Sequence, residues 1–327
     1  MRDTVSRRMD SIYKEVFDFC DKEGLIKKLE DSFLIPEEER FAKMSIDKHG
    51  LAVLDAVHCL YDKSRTEFFK KEIKKYVSKG EVVIEAGIGT GILSFYAASA
   101  GARVYGCELN SKALVLAEKI KSHLESKGLI PKNSIQFFLH DATTFIPPEK
   151  ADVLISENIY TGMFFEYQVQ IMKHLSKYLN KNARIIPQEM SSHFKLCHIN
   201  SNDKQKTNKE LIIPSKESGI KVTSMSLSKS YLYDDIKFNH ISKTKVNFKH
   251  KIPITHNGKI NSICISSDVI LPSSKIIKTK DTTFLNNEIY LVVKPEISVK
   301  KGDTVSFAIS YKYGQKSKEA KIILNKK

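Results

Sequence analysis

The chain has 327 residues, of which 41% are hydrophobic and 28% are charged, a balance typical of a globular protein with a substantial core. This length favours two domains, or one domain with a large additional segment. The N-terminus, MRDTVSRRMDSIYKEVFDFC, is charged throughout, and no apolar run reaches the about 18 residues that a membrane span needs, so we expect neither a secretory signal nor a membrane anchor.

The formal charge of +15 is unevenly distributed along the chain. Residues 188–327 contain 25 Lys, no Arg and 12 acids, a net charge of +13, whereas residues 1–187 carry only +2. A basic half of this kind indicates either a nucleic-acid or acidic partner or a solvated lysine surface. We favour the solvated surface, because Lys is usually exposed and Arg is the better residue for bidentate phosphate and base recognition.

The cysteines and histidines give no sign of a metal site. The five cysteines, at positions 20, 59, 107, 197 and 264, are far apart and form no CxxC pair, and the histidines lack metal-ligand spacing. We therefore predict no metal, no disulfide framework and a location in the reducing cytoplasm.

The first 78 residues are predicted to be helical. SIYKEVFDFCDKEGLIKKLED and GLAVLDAVHCLYDKSRTEFFKKEIKKYV repeat apolar residues every three or four positions, with LIPEEERF as a break between them. Residues 79–187 then alternate short apolar strands with helices, and Ser111 is predicted to cap the second helix of this region. Such alternation predicts a parallel sheet covered by helices on both faces.

Residues 188–327 have a different sequence pattern. Short β-rich runs are separated by Gly, Asn, Asp and Pro turns, and they include SHFKLCHI, KINSICISSDVIL, EIYLVVKP and DTVSFAISYKYG. This pattern predicts an antiparallel sandwich or barrel. We thus expect three regions, an N-terminal helical region at 1–78, an α/β domain at 79–187 and a β domain at 188–327 that binds substrate or partner.

A glycine-rich loop follows the first predicted strand, in VVIEAGIGTGILSFYAASAG. Gly87, Gly89 and Gly91 allow a tight turn and let a ligand approach the helix N-terminus. A dinucleotide fingerprint reads G-x-G-x-x-G, whereas here the order is E-x-G-x-G-x-G, led by Glu85. A carboxylate there disfavours a pyrophosphate and favours the cationic amino group of S-adenosylmethionine.

Two further acids end the next two predicted strands. Glu108 follows Glu85 by 23 residues, where a carboxylate can bind both ribose hydroxyls. Asp141 ends the third strand, where it could accept a bond from an adenine amino group while the backbone of Ala142 or Thr143 meets the ring edge. Three acids at consecutive strand ends beside a glycine loop favour S-adenosylmethionine over NAD or a purely structural loop.

The stretches VVIEAGIGTGILSFYAASAGARVYGCELN and ADVLISENIYTGMFFEYQVQIMKHLSKYLNKNARIIPQ resemble the core of the protein arginine methyltransferases. In that family a strand-end Ser-Glu and a Glu nine residues later form a double-glutamate loop, which matches Ser156, Glu157 and Glu166. The resemblance implies an α/β fold, with N-terminal helices, a Rossmann-like class I methyltransferase domain and a C-terminal antiparallel β-barrel or sandwich. It also implies that Glu157 and Glu166 are catalytic.

The chemistry gives a reason for two carboxylates. A guanidinium is a permanent planar cation whose donors suit bidentate carboxylates. Two glutamates could orient one nitrogen toward a methyl donor and draw positive charge to the other nitrogens, so that transfer depends mainly on positioning and electrostatics. The alternative is that both acids are surface charges beside a helix start.

The stretch HGLAVLDAVH looks like the family helix that closes over the cofactor, with His49 and Asp55 at matching positions. The family arginine that holds the cofactor carboxylate aligns with His58, a weaker and pH-dependent substitute, and Lys63 or Arg65 could replace it.

Other family features are absent. The chain has no Trp, the region of the family Thr-His-Trp loop, KDTTFLNNEIYLVVKP, has no His, and Asn158 replaces the Trp after the first glutamate. The dimerisation arm would lie in HINSNDKQKTNKELIIPSKESGIKVTS, which has no hydrophobic tip, so homodimerisation stays open.

The leading hypothesis is an S-adenosylmethionine-dependent N-methyltransferase acting on a guanidino or amino nitrogen of a protein, a peptide or a small molecule. The basic C-terminal half would repel Arg-rich tails, which favours an acidic partner or a small substrate. The alternatives are an RNA methyltransferase and a catalytically silent cofactor-binding scaffold. No membrane partner is expected.

Overall fold

The computed structural model describes residues 2–33, 53–200, 210–212, 223–278, 281–282 and 288–326. The chain divides into two compact units. The first comprises Met1–Asn158, Ile171–Gln188 and Leu271–Lys275, and the second comprises Ile159–Gln170, Glu189–Ile270 and Ile276–Lys327. Among the described helices, none is both long and apolar enough to cross a membrane.

The N-terminal part of the first unit is helical, as the sequence predicts, and its described residues form four helices. They are α1 (Arg2–Lys22), α2 (Leu25–Phe33), α3 (Val53–Tyr61) and α4 (Lys63–Tyr76). The apolar stripe of α1 is fully buried, because Met9, Ile12, Val16 and Cys20 recur on one helix face. The two predicted helical runs are both interrupted, the first near Gly24, which has a φ of +70°, and the second at Asp62, whose carboxylate caps α4 by accepting the Arg65 N–H at 3.1 Å.

A parallel sheet forms the centre of the first unit. Its strands are β1 (Val82–Ala86), β2 (Arg103–Glu108), β3 (Ile135–Leu139), β4 (Ala151–Ser156) and β5 (Leu179–Ile186), in the order β3-β2-β1-β4-β5. The helices after β1, β2 and β4 are α5 (Ile92–Ser99), α6 (Ser111–Ser126) and α7 (Gln168–Leu175). The prediction that Ser111 caps α6 is wrong, because Asn110 is the cap and its side chain accepts the N–H groups of Lys112 and Ala113.

The register of this sheet places the predicted cofactor-binding residues at one edge. Glu85 pairs with Gly106, and Glu108 pairs with Leu139 at the end of β3. Parallel strands end at the same edge, so the glycine loop and the strand-end acids lie along the carboxyl edge of the sheet. The predicted parallel sheet is confirmed.

The second unit is built from antiparallel strands, which confirms the predicted antiparallel β structure. They are β6 (Glu189–Asn200), β7 (Glu210–Ile212), β8 (Thr223–Ser226), β9 (Tyr231–Lys237), β10 (Lys245–Pro253), β11 (Gly258–Ile270), β12 (Ile276–Lys278), β13 (Ile289–Val299), β14 (Thr304–Lys312) and β15 (Lys321–Lys326). Within the described ranges, one sheet runs β7-β13-β11-β6-β8, with β12 and β9 paired to β11 and β6, and a second runs β10-β14-β15.

Aromatic side chains fill the core of the second unit. Phe194 on β6 stacks on Phe307 of β14 with ring centroids 4.1 Å apart, and Phe248 of β10 packs edge-on against Phe194 at 5.6 Å. Offset and edge-to-face pairs of this kind stabilise a core beyond their buried area. The inward side chains of β10 and β14 therefore cover this core, while their alternate residues point outward.

Candidate active site

The glycine loop between β1 and α5 has a left-handed backbone at each of its glycines. The φ values are +74° at Gly87, +55° at Gly89 and +85° at Gly91. A Cβ on Gly87 would lie 2.4 Å from Oδ1 of Asn158, so a larger residue is excluded by both backbone conformation and space. Asn158 is fixed there because its Nδ2 donates to the Ala86 carbonyl at 2.9 Å and to Ser156 Oγ at 3.0 Å.

Glu85 is buried beneath this loop, with 2% of its surface exposed. The hydroxyl of Ser94, on α5, donates to Glu85 Oε2. Burial raises the pKa of Glu85 to about 8, although the Ser94 hydrogen bond and the positive charge of Arg65 lower it. A cation bound near this carboxyl would favour its ionised form.

Glu108 ends β2 and is held by backbone donors. Its Oε2 accepts the Gly89 N–H at 3.0 Å, and its Oε1 accepts the Asn110 N–H at 2.9 Å. Burial raises the pKa of Glu108, and these backbone hydrogen bonds oppose that rise. The carboxylate is therefore fixed in orientation beside the glycine loop.

Asp141 forms an exposed turn after β3. Its Oδ1 accepts both the N–H of Thr143 at 2.8 Å and the Thr143 hydroxyl at 2.7 Å, while Ala142 is buried. The Thr143 N–H is therefore already used within the turn. The sequence suggests the backbone of Ala142 or Thr143 as a partner for the adenine ring edge. Of these two, Ala142 has the N–H that forms no hydrogen bond within this turn.

Arg65 and Glu157 form a buried ion pair within the first unit. Arg65 Nε donates to Glu157 Oε2 at 2.7 Å, Nη2 also donates to Oε2, and Nη1 donates to the Cys59 carbonyl at 3.4 Å. Both side chains are 6% exposed. Burial lowers the pKa of Arg65, but the charge and hydrogen bond of Glu157, together with Cys59 and Asp62, raise it above its ordinary value, so the guanidinium stays charged.

His58 and Asp55 are also buried, on α3. Of the three residues that the sequence suggests for the cofactor carboxylate, His58 and Arg65 are buried, on α3 and α4, and Lys63 is exposed. Arg65 is the one whose side chain reaches Glu157, and its guanidinium also lowers the pKa of Glu85. His49, residues 280 and 283–287 of the region KDTTFLNNEIYLVVKP, and most of the proposed dimerisation arm lie outside the described residues.

The turn after Glu157 belongs to the second unit, and both backbone polar groups of its central residue, Gly162, are hydrogen-bonded. It is a short 3-10 helix, Thr161–Met163. The Gly162 N–H donates to Ser267 Oγ on β11 at 2.9 Å, and the Gly162 carbonyl accepts from the Tyr311 hydroxyl on β14 at 2.6 Å. Tyr311 is in turn 3.0 Å from the Tyr233 hydroxyl.

Glu166 lies just beyond this turn and is partly exposed. The Phe165 N–H donates to the Gln315 carbonyl at 3.1 Å, and the Gly314 N–H donates to the Met163 carbonyl at 2.9 Å. Met163 and Phe165 have φ values of +58° and +60°. Such values are costly for residues other than glycine, and they persist only where surrounding contacts fix the backbone.

Three contributors to this arrangement were missed by sequence reasoning: Ser94, Ser267 and Tyr311. Ser94 could have been suspected, because it lies in the first turn of the helix after the glycine loop. Ser267 and Tyr311 have no signal in the sequence, since Tyr311 is 149 residues from its partner Gly162.

A separate surface cavity of about 520 Å³ lies at the amino edge of the parallel sheet, away from the glycine loop. Its lining includes Arg184, which donates to Glu81 at 2.5 Å, and Asp152, which accepts the Val82 N–H at 3.0 Å. Because Arg184 donates to Glu81 and to the Asp152 carbonyl, and Asn180 donates to the Asp152 carboxylate, we interpret this edge as a structural polar network.

Comparison with known proteins gives a family and a fold. A family model described as Methyltransferase domain matches residues 77–248. The uncharacterized protein MJ1452 of Methanocaldococcus jannaschii is 26% identical over 271 residues, covering 81% of this chain and 94% of that protein.

Arginine methyltransferases match a shorter part of the chain. Protein arginine N-methyltransferase 8-B of Danio rerio is 36% identical over 111 residues, which are 33% of this chain and 25% of that protein. Probable protein arginine N-methyltransferase 6 of Arabidopsis thaliana is 30% identical over 131 residues, which are 38% of this chain and 28% of that protein.

Two solved structures share the fold. One is the Trypanosoma brucei PRMT1 enzyme-prozyme heterotetrameric complex with AdoHcy, with a TM-score of 0.63 and 16% identity over 83% of this chain and 92% of that chain. The other is Arabidopsis thaliana protein arginine methyltransferase 10 in an open conformation, with a TM-score of 0.61 and 14% identity over 82% and 95%. The methyltransferase model spans more than half of the chain, which therefore belongs to the methyltransferase-domain family as an S-adenosylmethionine-dependent enzyme with an arginine-methyltransferase-like fold.

Proposed function

We propose that the enzyme methylates a guanidino nitrogen, and that Glu157 and Glu166 bind the group that carries it. The buried pair of Arg65 and Glu157 is the observation that supports this best. Nε and Nη2 of Arg65 both donate to Glu157, so this carboxylate already accepts a guanidinium in the first unit. The carboxylate of Glu157 thus shows the acceptor chemistry that binding of a guanidino group requires.

The residues present fit S-adenosylmethionine by the chemistry of their donor and acceptor groups. We propose that Glu85 faces the amino group, Glu108 binds the ribose hydroxyls, and Asp141 with Ala142 binds the adenine. The backbone at Gly87, Gly89 and Gly91 would allow the close approach. Bound in this way, the cofactor supplies the electrophilic methyl group.

We assign the cofactor carboxylate to Arg65 ahead of His58. A guanidinium has five N–H donors, and Arg65 uses Nε and Nη2 on Glu157 and Nη1 on the Cys59 carbonyl, so donors on its terminal nitrogens remain for another carboxylate. Arg65 also keeps its charge at every relevant pH, whereas the charge of a buried histidine is lost readily. One residue would thus connect cofactor binding to the orientation of Glu157.

Glu166 has a different role in this proposal. Glu157 already faces the positive charge of Arg65, so the cationic acceptor needs a second carboxylate to balance its own charge. Glu166 would supply that charge and accept the proton that the methylated nitrogen releases. The hydrogen-bonded turn at Gly162, which lies in the same unit as Glu166, would hold the backbone that leads to it.

The class of acceptor is a further part of the proposal. Residues 188–327, which we propose as the substrate or partner region, carry a net charge of +13. This charge disfavours Arg-rich tails and favours a guanidino group on a small molecule or in an acidic protein segment. Homodimerisation is left open.

The test separates cofactor binding from transfer. Methyl transfer from labelled donor to a cell lysate would be compared for wild type, Glu157→Gln and Glu166→Gln, with donor affinity measured by calorimetry on each protein. We expect transfer to fall by about a hundredfold or more in both variants, while Glu166→Gln binds the donor as wild type does. Full transfer by Glu166→Gln would refute the paired-carboxylate mechanism. Donor binding without any transfer by wild type would indicate a silent scaffold.

A further inference from the structure

The outer face of the three-stranded sheet β10-β14-β15 is basic and contains no acid. Side chains on this face alternate with those that cover the core, so the register identifies its members. Its charged members are Lys245, Lys249 and Lys251 on β10, Lys312 on β14 and Lys321 on β15, and its other positions are neutral. We call it the lysine face.

The lysines of this face are exposed and have no acidic partner among the described residues. All five, Lys245, Lys249, Lys251, Lys312 and Lys321, are solvent-exposed. Elsewhere in the described part of the second unit, Lys243 pairs with Asp234, Lys195 with Glu288 and Lys326 with Asp303. No described carboxylate lies within salt-bridge distance of any of the five.

One cross-strand pairing on this face is unfavourable for the isolated protein. Lys245 and Lys312 are directly opposite each other on β10 and β14. Directly opposed like charges destabilise an antiparallel pair. A polyanion that binds both ammonium groups would remove this repulsion.

The residues between the lysines form a shallow floor. Ser306, Ala308 and Ser310 occupy the central strand, with Lys249 opposite Ala308 on one side and Lys321 opposite Ser310 on the other. The two flanking strands are about 10 Å apart, or twice the strand spacing. This width admits one extended backbone, and the serine hydroxyls lie where they can donate to its oxyanions.

We propose that the lysine face binds the sugar-phosphate backbone of a single-stranded nucleic acid. Lysine ammonium groups and serine hydroxyls are common donors to phosphate oxygens. The face has no Arg for bidentate reading of bases, so binding is independent of sequence. It also has no aromatic ring for base stacking, so binding rests on the phosphate contacts and depends on salt. We favour phosphate over the carboxylates of an acidic peptide, because lysine commonly binds phosphate as a point charge, without the bidentate geometry that arginine provides.

This surface is independent of the proposed methyl transfer. It lies entirely on one sheet of the second unit, and none of its residues belongs to the candidate active site. Nucleic-acid binding can therefore be present whether or not the acceptor is a guanidino nitrogen.

The test is a binding titration of the intact protein with a fluorescent oligouridylate between about 50 and about 200 mM salt. The variant is the triple substitution Lys245→Gln, Lys249→Gln and Lys251→Gln. Each phosphate contact of a single strand contributes about −0.7 to the slope of log K against log salt, so losing three contacts should make the slope less negative by about 2. Affinity at the lower salt concentration should fall about tenfold or more.

A matched control separates the face from the overall charge. Lys229→Gln, Lys237→Gln and Lys300→Gln remove the same charge from exposed positions of the second unit outside the face. Thermal unfolding followed by circular dichroism checks that both triple variants are folded. The proposal predicts that the control keeps nearly the wild-type slope.

Three outcomes would overturn the proposal. An equal loss in both triple variants would show that only the net charge attracts the oligonucleotide. Stronger binding of polyglutamate than of oligouridylate would identify an acidic protein as the partner. A wild-type protein with no measurable binding at the lower salt concentration would exclude nucleic acid altogether.

Discussion

Replacing Glu85 by Gln should stabilise the cofactor-free enzyme, although Glu85 lies in the proposed cofactor site. Burial raises the pKa of this carboxyl from 4.5 to about 8 in the folded state. The carboxyl is therefore protonated in the folded chain at about pH 7 and ionised in the unfolded chain. A glutamine is neutral in both states, and its amide oxygen can still accept the Ser94 hydroxyl.

The sign and size of the effect follow from proton uptake. Folding takes up a proton at Glu85 between about pH 4.5 and about pH 8, so the free energy of unfolding falls as the pH rises through this interval. Relative to acidic solution, the loss is less than about 1 kcal/mol at about pH 5, about 3 kcal/mol at about pH 7 and about 5 kcal/mol above about pH 8. Glu85→Gln should recover these amounts.

The assay is urea unfolding at several pH values, followed by circular dichroism because the chain contains no Trp. Glu23→Gln, which removes an exposed carboxyl from the same unit, controls for the loss of one negative charge. We expect the stability difference between Glu85→Gln and wild type to grow with pH, and that of Glu23→Gln to stay small. A difference that is constant with pH, or a destabilised Glu85→Gln, would refute the assignment of a neutral buried carboxyl.

Further predictions concern the ion pair, the glycine loop and the second-unit turn. Arg65→Met should destabilise the fold by about 3 to 5 kcal/mol by leaving Glu157 buried without its partner, and adding Glu157→Gln should restore part of that loss in urea unfolding. Gly87→Ala should cost about 1 to 2 kcal/mol in backbone strain, plus the displacement of Asn158, and adding Asn158→Ala should relieve only the second part. Tyr311→Phe should cost about 1 to 3 kcal/mol by leaving a buried carbonyl unsatisfied and should lower kcat more than donor affinity.

For each of these predictions, one result would contradict it. An Arg65→Met, Glu157→Gln double variant no more stable than Arg65→Met would show that the pair is not coupled. A Gly87→Ala, Asn158→Ala double variant no more stable than Gly87→Ala would exclude the contact between the added Cβ and Asn158. Equal losses of kcat and donor affinity in Tyr311→Phe would assign this hydroxyl to general stability.

The parallel sheet and its acids could be predicted because their signals are local. Buried strands are visible in the sequence as short apolar runs. The residue at the end of each run lies at the carboxyl edge of a parallel sheet, and this does not depend on the rest of the fold. Glu85 and Glu108 were predicted at that edge for this reason, and the structure places both there.

Other features could not be predicted from the sequence. They depend on competition between helix capping and helix continuation, or on contacts between residues far apart in the chain. Asp62 interrupts a helical run that apolar spacing alone would continue, since its side chain caps α4 better than it extends α3. The pairing of Arg65 with Glu157 spans 92 residues, and the bond from Tyr311 to Gly162 spans 149. Periodicity gives no information on such contacts, which only the tertiary fold decides.

The proposed guanidino acceptor can be tested directly by identifying the methylated atom. Purified enzyme, labelled methyl donor and cell lysate would be incubated, the label separated into protein, RNA and small molecules, and the labelled product analysed by mass spectrometry after acid hydrolysis. The proposal predicts methyl on a guanidino nitrogen, in an arginine residue or a small guanidino compound, and its loss in Glu157→Gln and Glu166→Gln. Label on an RNA base, on a carboxylate or on sulfur would contradict it.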